Sequence, residues 1–599
     1  MNDAVRDDSL RLAQPADAHS QEEWEAATAA VLRKSGRLTS DDADSLVWDK
    51  LTRTSLDGLR IAPLGLPDTS FADVARPARS GPWDIRSLVS GLSGLSGVDA
   101  KSANEAALVD LDGGVSSLWV AADETTDLAV LLDKVLLDLA PIVLDAPIGA
   151  VKVAQGLLAL IAERGTGLHA ATNLGADPMG ALLRDLPLAP DEAFAELVDL
   201  ARLAQGIGVR AIVVDATAAH DIGASDVQEL GWSIAVGVAY LRALTEAGFS
   251  PAVAAALIEF RYAATDEQFP TIAKLRAARQ LWSRVLELSG CEGVEMRVHA
   301  VSSRPMLSKY DPYVNMLRGT VAAFAAGVGG ADAVTVLPFD SANGVPDGFG
   351  RRIARNVSHL LIDESHVAAV ADPAGGSFAV EKLTADMAAA GWEAFIQLEE
   401  EWTGANAVGG HDFSPFRDRV AAVAAEREKA IARRKRPITG LTEFPNLAET
   451  LPERPADPLN DRAVRYGASF EALRDAPATG KVFLATIGTV AQHTARATFA
   501  TNLLAAGGIG VEVAGATSDA EELTGKYRSA GAPPVVCLAG SDKTYAAWGA
   551  DAIAALREAG ATHVIIAGKP DAVDAEVDDA ASMGVDALAF LTATREKLS

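Results

Sequence analysis

The chain has 599 residues, 49% of them hydrophobic, with a formal net charge of -28 and only two cysteines, Cys291 and Cys537. That length supports two or three domains with separate cores. The negative charge argues against nucleic acid and anionic membrane surfaces, and two distant cysteines make neither a disulfide scaffold nor a metal cluster. The N-terminus is acidic and polar with no apolar signal core, and no run approaches the roughly 18 apolar residues of a membrane span. A soluble, cytoplasmic protein is expected.

In chain order, residues 1–45 are polar and helix-prone, as in Gln21–Leu32, and are predicted as an arm for partner contact rather than a core element. From about Pro82, apolar strands alternate with longer helical patterns. The strand candidates are Ser117–Ala121, Pro141–Leu144, Gly167–Thr172, Val209–Asp215, Leu257–Tyr262, Met296–Ser302, Ala333–Leu337 and Val367–Ala371. Amphipathic stretches such as Asp191–Gln205 and Thr271–Leu288 lie between them. About eight strand–helix units predict an α/β chain whose residues 46–435 form a TIM (β/α)8 barrel, with an open doubly wound sheet as the alternative. Near Arg433 a basic cluster gives way to Pro452, Pro455, Pro458 and Pro477, so 436–480 is predicted as a Pro-rich linker wrapping a surface. Strand candidates then resume at Lys481–Ile487, Ile509–Val513, Val535–Leu538, His563–Ala567 and Asp586–Leu591, which predicts a flavodoxin-like domain over 481–599.

The most specific region lies at 299–381. It contains Ser302-Ser-Arg-Pro, Tyr310-Asp-Pro-Tyr-Val-Asn-Met-Leu-Arg, Gly329-Gly-Ala-Asp, Arg352-Ile-Ala-Arg-Asn and Asp372-Pro-Ala-Gly-Gly-Ser-Phe-Ala-Val-Glu, preceded by Lys274-Leu-Arg-Ala-Ala-Arg-Gln-Leu-Trp. In this order and spacing they resemble the barrel half of the methylmalonyl-CoA mutase family, and the domain layout agrees over nearly the whole chain. The resemblance implies an adenosylcobalamin-dependent isomerase that interconverts methylmalonyl-CoA and succinyl-CoA. In that family the pantetheine arm threads the barrel and the C-terminal domain presents the cobalamin.

The resemblance also locates what is altered. The family's Asp-x-His-x-x-Gly loop, whose histidine ligates cobalt, is matched by Val490, Gln492 and Ala495, and an amide is a poor cobalt ligand. His493 stands one residue late and is expected to point elsewhere. The family's Ser-x-Leu turn is matched by Val536-Cys-Leu538 and its Gly-Gly pair by Ala567-Gly568, where a methyl group takes the place of close backbone approach. In the barrel, the Tyr-His pair that contacts substrate is matched by Ser225 and Asp226. A carboxylate there opposes negative charge developing on a thioester oxygen. As a structural residue Asp226 reads as a helix N-cap. Arg261-Tyr-Ala-Ala-Thr-Asp replaces an aromatic run beside the substrate. Arg304 and Arg318 read as salt-bridge residues, Arg352, Arg355 and Asn356 as residues of a barrel helix, and Asp372–Gly376 as a turn after a strand.

These losses predict no catalytic, cofactor-binding or metal-ligating residue in this chain. It resembles the small, non-catalytic subunit of a heterodimeric bacterial enzyme of propionate metabolism, with a divergent cobalamin-dependent acyl-CoA mutase or a stand-alone CoA-binding or regulatory protein as the alternatives. The partner that the resemblance implies is the catalytic large subunit, which would bind the adenosylcobalamin. A GTPase chaperone of the enzyme is a second partner that the resemblance leaves open.

Overall fold

A computed structural model of the chain describes residues 17–67, 79–92, 99–291, 293–403 and 412–598. The predicted arm reaches into 1–16, outside the described residues. Its described part begins with a helix, Gln21–Lys34, started by a capping box between Ser20 and Glu23. Contrary to the expectation of a bare arm, it has a small core of its own. Ala29, Leu32, Leu38 and Val47 are buried and the Trp24 and Trp48 rings lie 4.7 Å apart. A short hairpin follows, β1 (Arg53–Thr54) with β2 (Arg60–Ile61), paired antiparallel.

Eight parallel strands close a barrel in sequence order: β3 (Asp84–Ser90), β4 (Ser117–Ala121), β5 (Ile142–Asp145), β6 (Asn173–Ala176), β7 (Arg210–Asp215), β8 (Ile258–Ala264), β9 (Arg297–Ser302) and β10 (Ala333–Thr335). The period-two alternation of a strand sorts their side chains. Leu118, Val120, Ile142, Leu144, Ile212, Val214, Phe260 and Val298 join the apolar layer with the surrounding helices. The alternate positions, including Arg86, Trp119, Asp145, Asp215, Glu259, Arg261 and His299, meet across the axis. The helices at Pro190–Ile207 and Gln268–Leu288 agree with the amphipathic reading.

Two barrel expectations are corrected. The first strand, β3, has no uninterrupted apolar run, because Arg86 turns inward and Ser87 donates to Asp110. The apolar run Val367–Ala371 is no strand: it makes a 3-10 turn, Val367–Ala369, since eight strands already close the sheet. The Asp372–Gly376 turn therefore follows that turn and not a strand. The third predicted strand, Gly167–Thr172, lies just before the observed β6. There Gly175 has φ +76, and a Cβ on it would stand 1.9 Å from the Leu144 carbonyl oxygen.

The C-terminal sheet is parallel, in the order β12 (Gly510–Val513), β11 (Lys481–Thr486), β13 (Val535–Ala539), β14 (His563–Ala567), β15 (Asp579–Ala581). This 2-1-3-4-5 order is flavodoxin-like. Its fifth strand is not Asp586–Leu591, which lies mostly in the helix Ala587–Leu598. Buried Ala587, Phe590, Leu591, Thr594 and Leu598 recur at helical spacing, against which a short apolar run gives no signal.

Between barrel and second sheet, the proline-rich stretch runs across the barrel's C-terminal mouth. It holds two short helical pieces, Pro458–Arg462 and Ala468–Asp475, with turns and extended segments around them. Val345 N donates to Pro455 O, Val464 N to Asp221 O and Tyr466 N to Pro305 O, each at 2.9 Å. Arg304 reaches Asn460 at 3.0 Å, and Asn460 in turn donates to Ser341 O at 2.7 Å.

Gly175→Ala places a methyl group against a fixed carbonyl at a left-handed φ, whereas Gly36→Ala meets open space at a similar φ of +72. The first is expected to lower stability by at least about 2 kcal/mol and the second by about 1 kcal/mol, read from denaturant midpoints. Equal losses would show that the close approach of β5 and β6 does not constrain the barrel.

Candidate functional site

Two places collect the residues singled out by sequence: the barrel mouth with its axis, and the carboxyl end of the C-terminal sheet. At the mouth, Ser225 rather than Asp226 is the N-cap of the helix Asp226–Glu246. Its hydroxyl accepts from Gln228 N at 3.3 Å, and Gln228 Oε1 accepts from Ser225 N at 3.0 Å. The Ser225 hydroxyl also donates to the carboxylate of Asp57, which sits in the turn of the β1–β2 hairpin. Burial pushes the Asp57 carboxyl up to about 6, against the hydrogen bond from Ser225. Asp226 instead pairs with the fully buried Lys274 at 2.8 Å, and Lys274 also meets Glu229 at 2.6 Å. Burial works against ionisation of Asp226, but the Lys274 ammonium outweighs it and holds the carboxyl below its usual range. His220 completes the cluster, 3.6 Å from Glu229 and 2.7 Å from the Ser303 hydroxyl. Tyr466, from the proline-rich stretch, lies over His220, with Arg427 and Arg436 against its ring.

Below the mouth, charged side chains occupy the axis. Arg86 and Glu259 pair at 2.5 Å from strands that are not neighbours, so the pair spans the interior. The Arg261 guanidinium lies 4.0 Å from the Trp119 ring centre, 3.3 Å from Asp215 and 3.7 Å from Asp145. Its Nε donates to His299 Nδ1 at 3.3 Å, and His299 Nε2 lies 2.8 Å from the Thr335 hydroxyl. Burial, then Arg86 and Arg261, drive the His299 pKa down, so a neutral ring accepts from Arg261. The space left at the centre of the mouth, lined by Trp119, Thr217, Asp221, Ser303 and Arg304, is about 30 Å³. That is room for a water, whereas a wider cavity of about 620 Å³ lies beside it at the rim, between Ala122, Ile148, Arg184, Ile222 and Arg462. Arg304 and Arg318 each approach a carboxylate at 3.9 Å, Asp457 and Asp266, and Arg318 also bonds Asn315 and Thr439 O.

In the C-terminal domain Gly488 (φ +85) turns the chain after β11, and Thr489 caps the helix Val490–Ala506. Gln492 Oε1 accepts from Thr489 N at 2.8 Å and from the Thr489 hydroxyl at 3.0 Å, so the side chain at the cobalt-ligand position serves as a capping-box residue. Val490 and Ala495 are exposed on this helix. His493 is buried, with Nδ1 unpartnered, and it does not line the adjacent groove of about 490 Å³ bounded by Gly488, Gln492, Thr517, Glu522, Lys543 and Trp548. Val536 and Ala567 are fully buried, Val536 in the apolar layer with Phe483 and Ile566, Ala567 in the opposite layer with Leu504 and Ile565.

Two residues that sequence reasoning missed close this end of the sheet. Tyr545 Oη lies 3.0 Å from Leu538 O and 2.9 Å from Ala567 O, bridging the ends of β13 and β14. Arg496 stacks on its ring at 4.7 Å, donates to Gly540 O at 2.7 Å and pairs with Asp542. No motif marked them. The cap at Gln492 was legible as Thr489-x-x-Gln492. With no imidazole turned into the groove and the strand ends bridged, the residues present do not fit a cobalamin ligated from below.

Comparison with known proteins agrees in family. A family profile described as methylmalonyl-CoA mutase matches residues 86–520. The chain is 44% identical to the methylmalonyl-CoA mutase small subunit of Streptomyces virginiae over 99% of both chains. It is 34% identical to the methylmalonyl-CoA mutase small subunit of Propionibacterium freudenreichii subsp. shermanii, over 97% of this chain and 95% of that one.

Asp177, just after β6, is half-buried beside Asp215 and accepts from the Tyr240 hydroxyl at 2.6 Å. Burial, then Asp215, push its carboxyl up to about 7. A raised folded pKa stabilises the fold fully below the unfolded pKa near 3.8, and this contribution is lost as pH rises to about 7. Asp177→Asn keeps the acceptor and cannot ionise. Thermal unfolding at pH 5 and pH 8 should show the variant losing less stability over that interval than the wild type, by on the order of a few kcal/mol. Parallel losses would mean that Asp177 does not titrate in the fold.

Proposed function

We propose a function from one premise: the chain belongs to the methylmalonyl-CoA mutase family, a family of cobalamin-dependent isomerases. In our reading it is the small, non-catalytic subunit of a heterodimeric mutase that interconverts methylmalonyl-CoA and succinyl-CoA. The large subunit binds the adenosylcobalamin and carries out the reaction. The observation that supports this most is the occupied barrel axis. Arg86–Glu259 and Arg261 on Trp119 lie where the family threads its substrate. The Tyr545 bridge and the Gln492 cap support the same reading at the cofactor end.

A partner that binds only the folded state of the large subunit stabilises it by mass action, which is a sufficient physical reason to keep a full-length fold without its chemistry. The N-terminal arm and the proline-rich stretch are candidates for partner contact, and a GTPase chaperone of the enzyme is a further candidate partner.

The reading is tested by corrinoid content. Absorbance and cobalt analysis of the co-expressed complex should give one cobalamin per pair of chains, and this chain purified alone should hold none. Gln492→His alone should leave it inactive and without cobalamin, because Tyr545 and the closed axis remain. Tight stoichiometric cobalamin binding by the isolated wild-type chain would overturn the assignment.

A further inference from the structure

The family-like motif residues divide into two groups. Most have work inside the molecule: Asn315 donates to Ser308 O and Phe339 O at 2.8 Å, Arg318 bonds Asn315, and Arg355 pairs with Asp110 at 3.0 Å. Tyr313, Arg352 and Asn356 do not. They are exposed and take part in no hydrogen bond or ion pair of their side chains among the described residues. They lie on one surface. The Tyr313 ring stacks on Phe339 at 5.4 Å, Phe339 meets Phe349 edge-on at 5.8 Å, and the Arg352 guanidinium covers Phe349 at 5.5 Å. One turn beyond Tyr313, Leu317 continues the surface at 68% exposure, and Tyr313 itself is 65% exposed.

This face is built by the helices Val314–Val328 and Gly348–His359. The first carries a single charged residue, Arg318, which is buried. Its outer side is therefore free of charge, in a chain whose net charge is -28. An exposed patch of aromatic and aliphatic side chains with one arginine has the composition of an interface centre. Arg352 narrows the choice of occupant. Neither helix of this face carries an acidic residue, and the carboxylate that caps the second, Asp347, is held by Arg454 at 2.8 Å. Two copies meeting here about a two-fold axis would desolvate two arginines without carboxylates, a costly arrangement. A different chain that supplies an apolar surface and a carboxylate fits.

We propose that the Tyr313–Leu317–Phe349–Arg352 face is the docking surface for the large subunit of the mutase, an assignment that rests on the small-subunit reading above. The test is co-purification of the two chains, with size-exclusion chromatography of each alone. Wild type should bring down the large subunit; failure here would sink the small-subunit reading itself. Leu317→Glu and Phe349→Glu should abolish the complex while the isolated chain keeps its wild-type melting temperature. Arg352→Ala, an exposed change that removes little packing, should weaken association by about tenfold or more, with Arg352→Lys in between. Leu139→Glu, at another exposed apolar position between β4 and β5, should leave assembly unchanged. Complexes that survive all three changes on the face would overturn the proposal. So would a wild-type chain that dimerises alone and becomes monomeric in Leu317→Glu, which would give the face to a second copy.

Discussion

A guanidinium stands at the centre of the barrel, and the architecture around it pairs its Nε and Nη1 while leaving Nη2 buried without a hydrogen bond. Arg261 is 2% exposed, with Trp119 on its face, Asp145 and Asp215 on one edge and a neutral His299 accepting from Nε. A buried arginine that loses its partners costs several kcal/mol, so the strands bearing these groups, β4, β5, β7, β8 and β9, are held in register by it. The proline-rich stretch belongs to the same network, since Arg462 approaches Asp145 at 3.5 Å. TIM-barrel interiors are commonly filled by branched apolar side chains. Here an ion-paired column fills the interior, closes the axis and keeps a polar core that hydrophobic packing alone does not explain.

The same physical logic recurs where the family resemblance places chemistry. At three of the altered positions, Ser225, Asp226 and Gln492, the side chain satisfies a helix end or a buried charge. Ser225 caps a helix, and Asp226 neutralises Lys274 together with Glu229. Gln492 completes a capping box. Asp57, from the N-terminal hairpin, takes the Ser225 hydroxyl and ties that hairpin to the barrel mouth. A fold with its capping and charge pairing intact keeps its surfaces in place, and this is what a supporting subunit requires.

Much of this was legible in the sequence. Six of the eight barrel strands were foreshadowed by apolar runs, the run Gly167–Thr172 ended just before β6, and the motifs at 299–381 identified the family. What escaped was set by contacts distant in sequence or by period. Strand β3 was hidden because Arg86 faces Glu259, a partner 173 residues away. Lys274 was visible as part of a motif, but nothing in the sequence joined it to Asp226. The helix Ala587–Leu598 was misread from its first apolar residues, before the 3.6-residue period could show. Tyr545 escaped because its role depends on two strand ends that only the folded sheet brings together.

We infer that the barrel keeps its walls and that its filled axis admits no substrate arm. This is tested most directly by isothermal titration of the isolated chain with a CoA thioester, methylmalonyl-CoA, alongside free CoA. The account predicts no saturable heat from either ligand, because the Arg86–Glu259 pair and the Arg261–Trp119 stack occupy the axis. Stoichiometric binding of the thioester, lost on Arg261→Ala, would contradict it and show that the passage opens to admit a substrate arm.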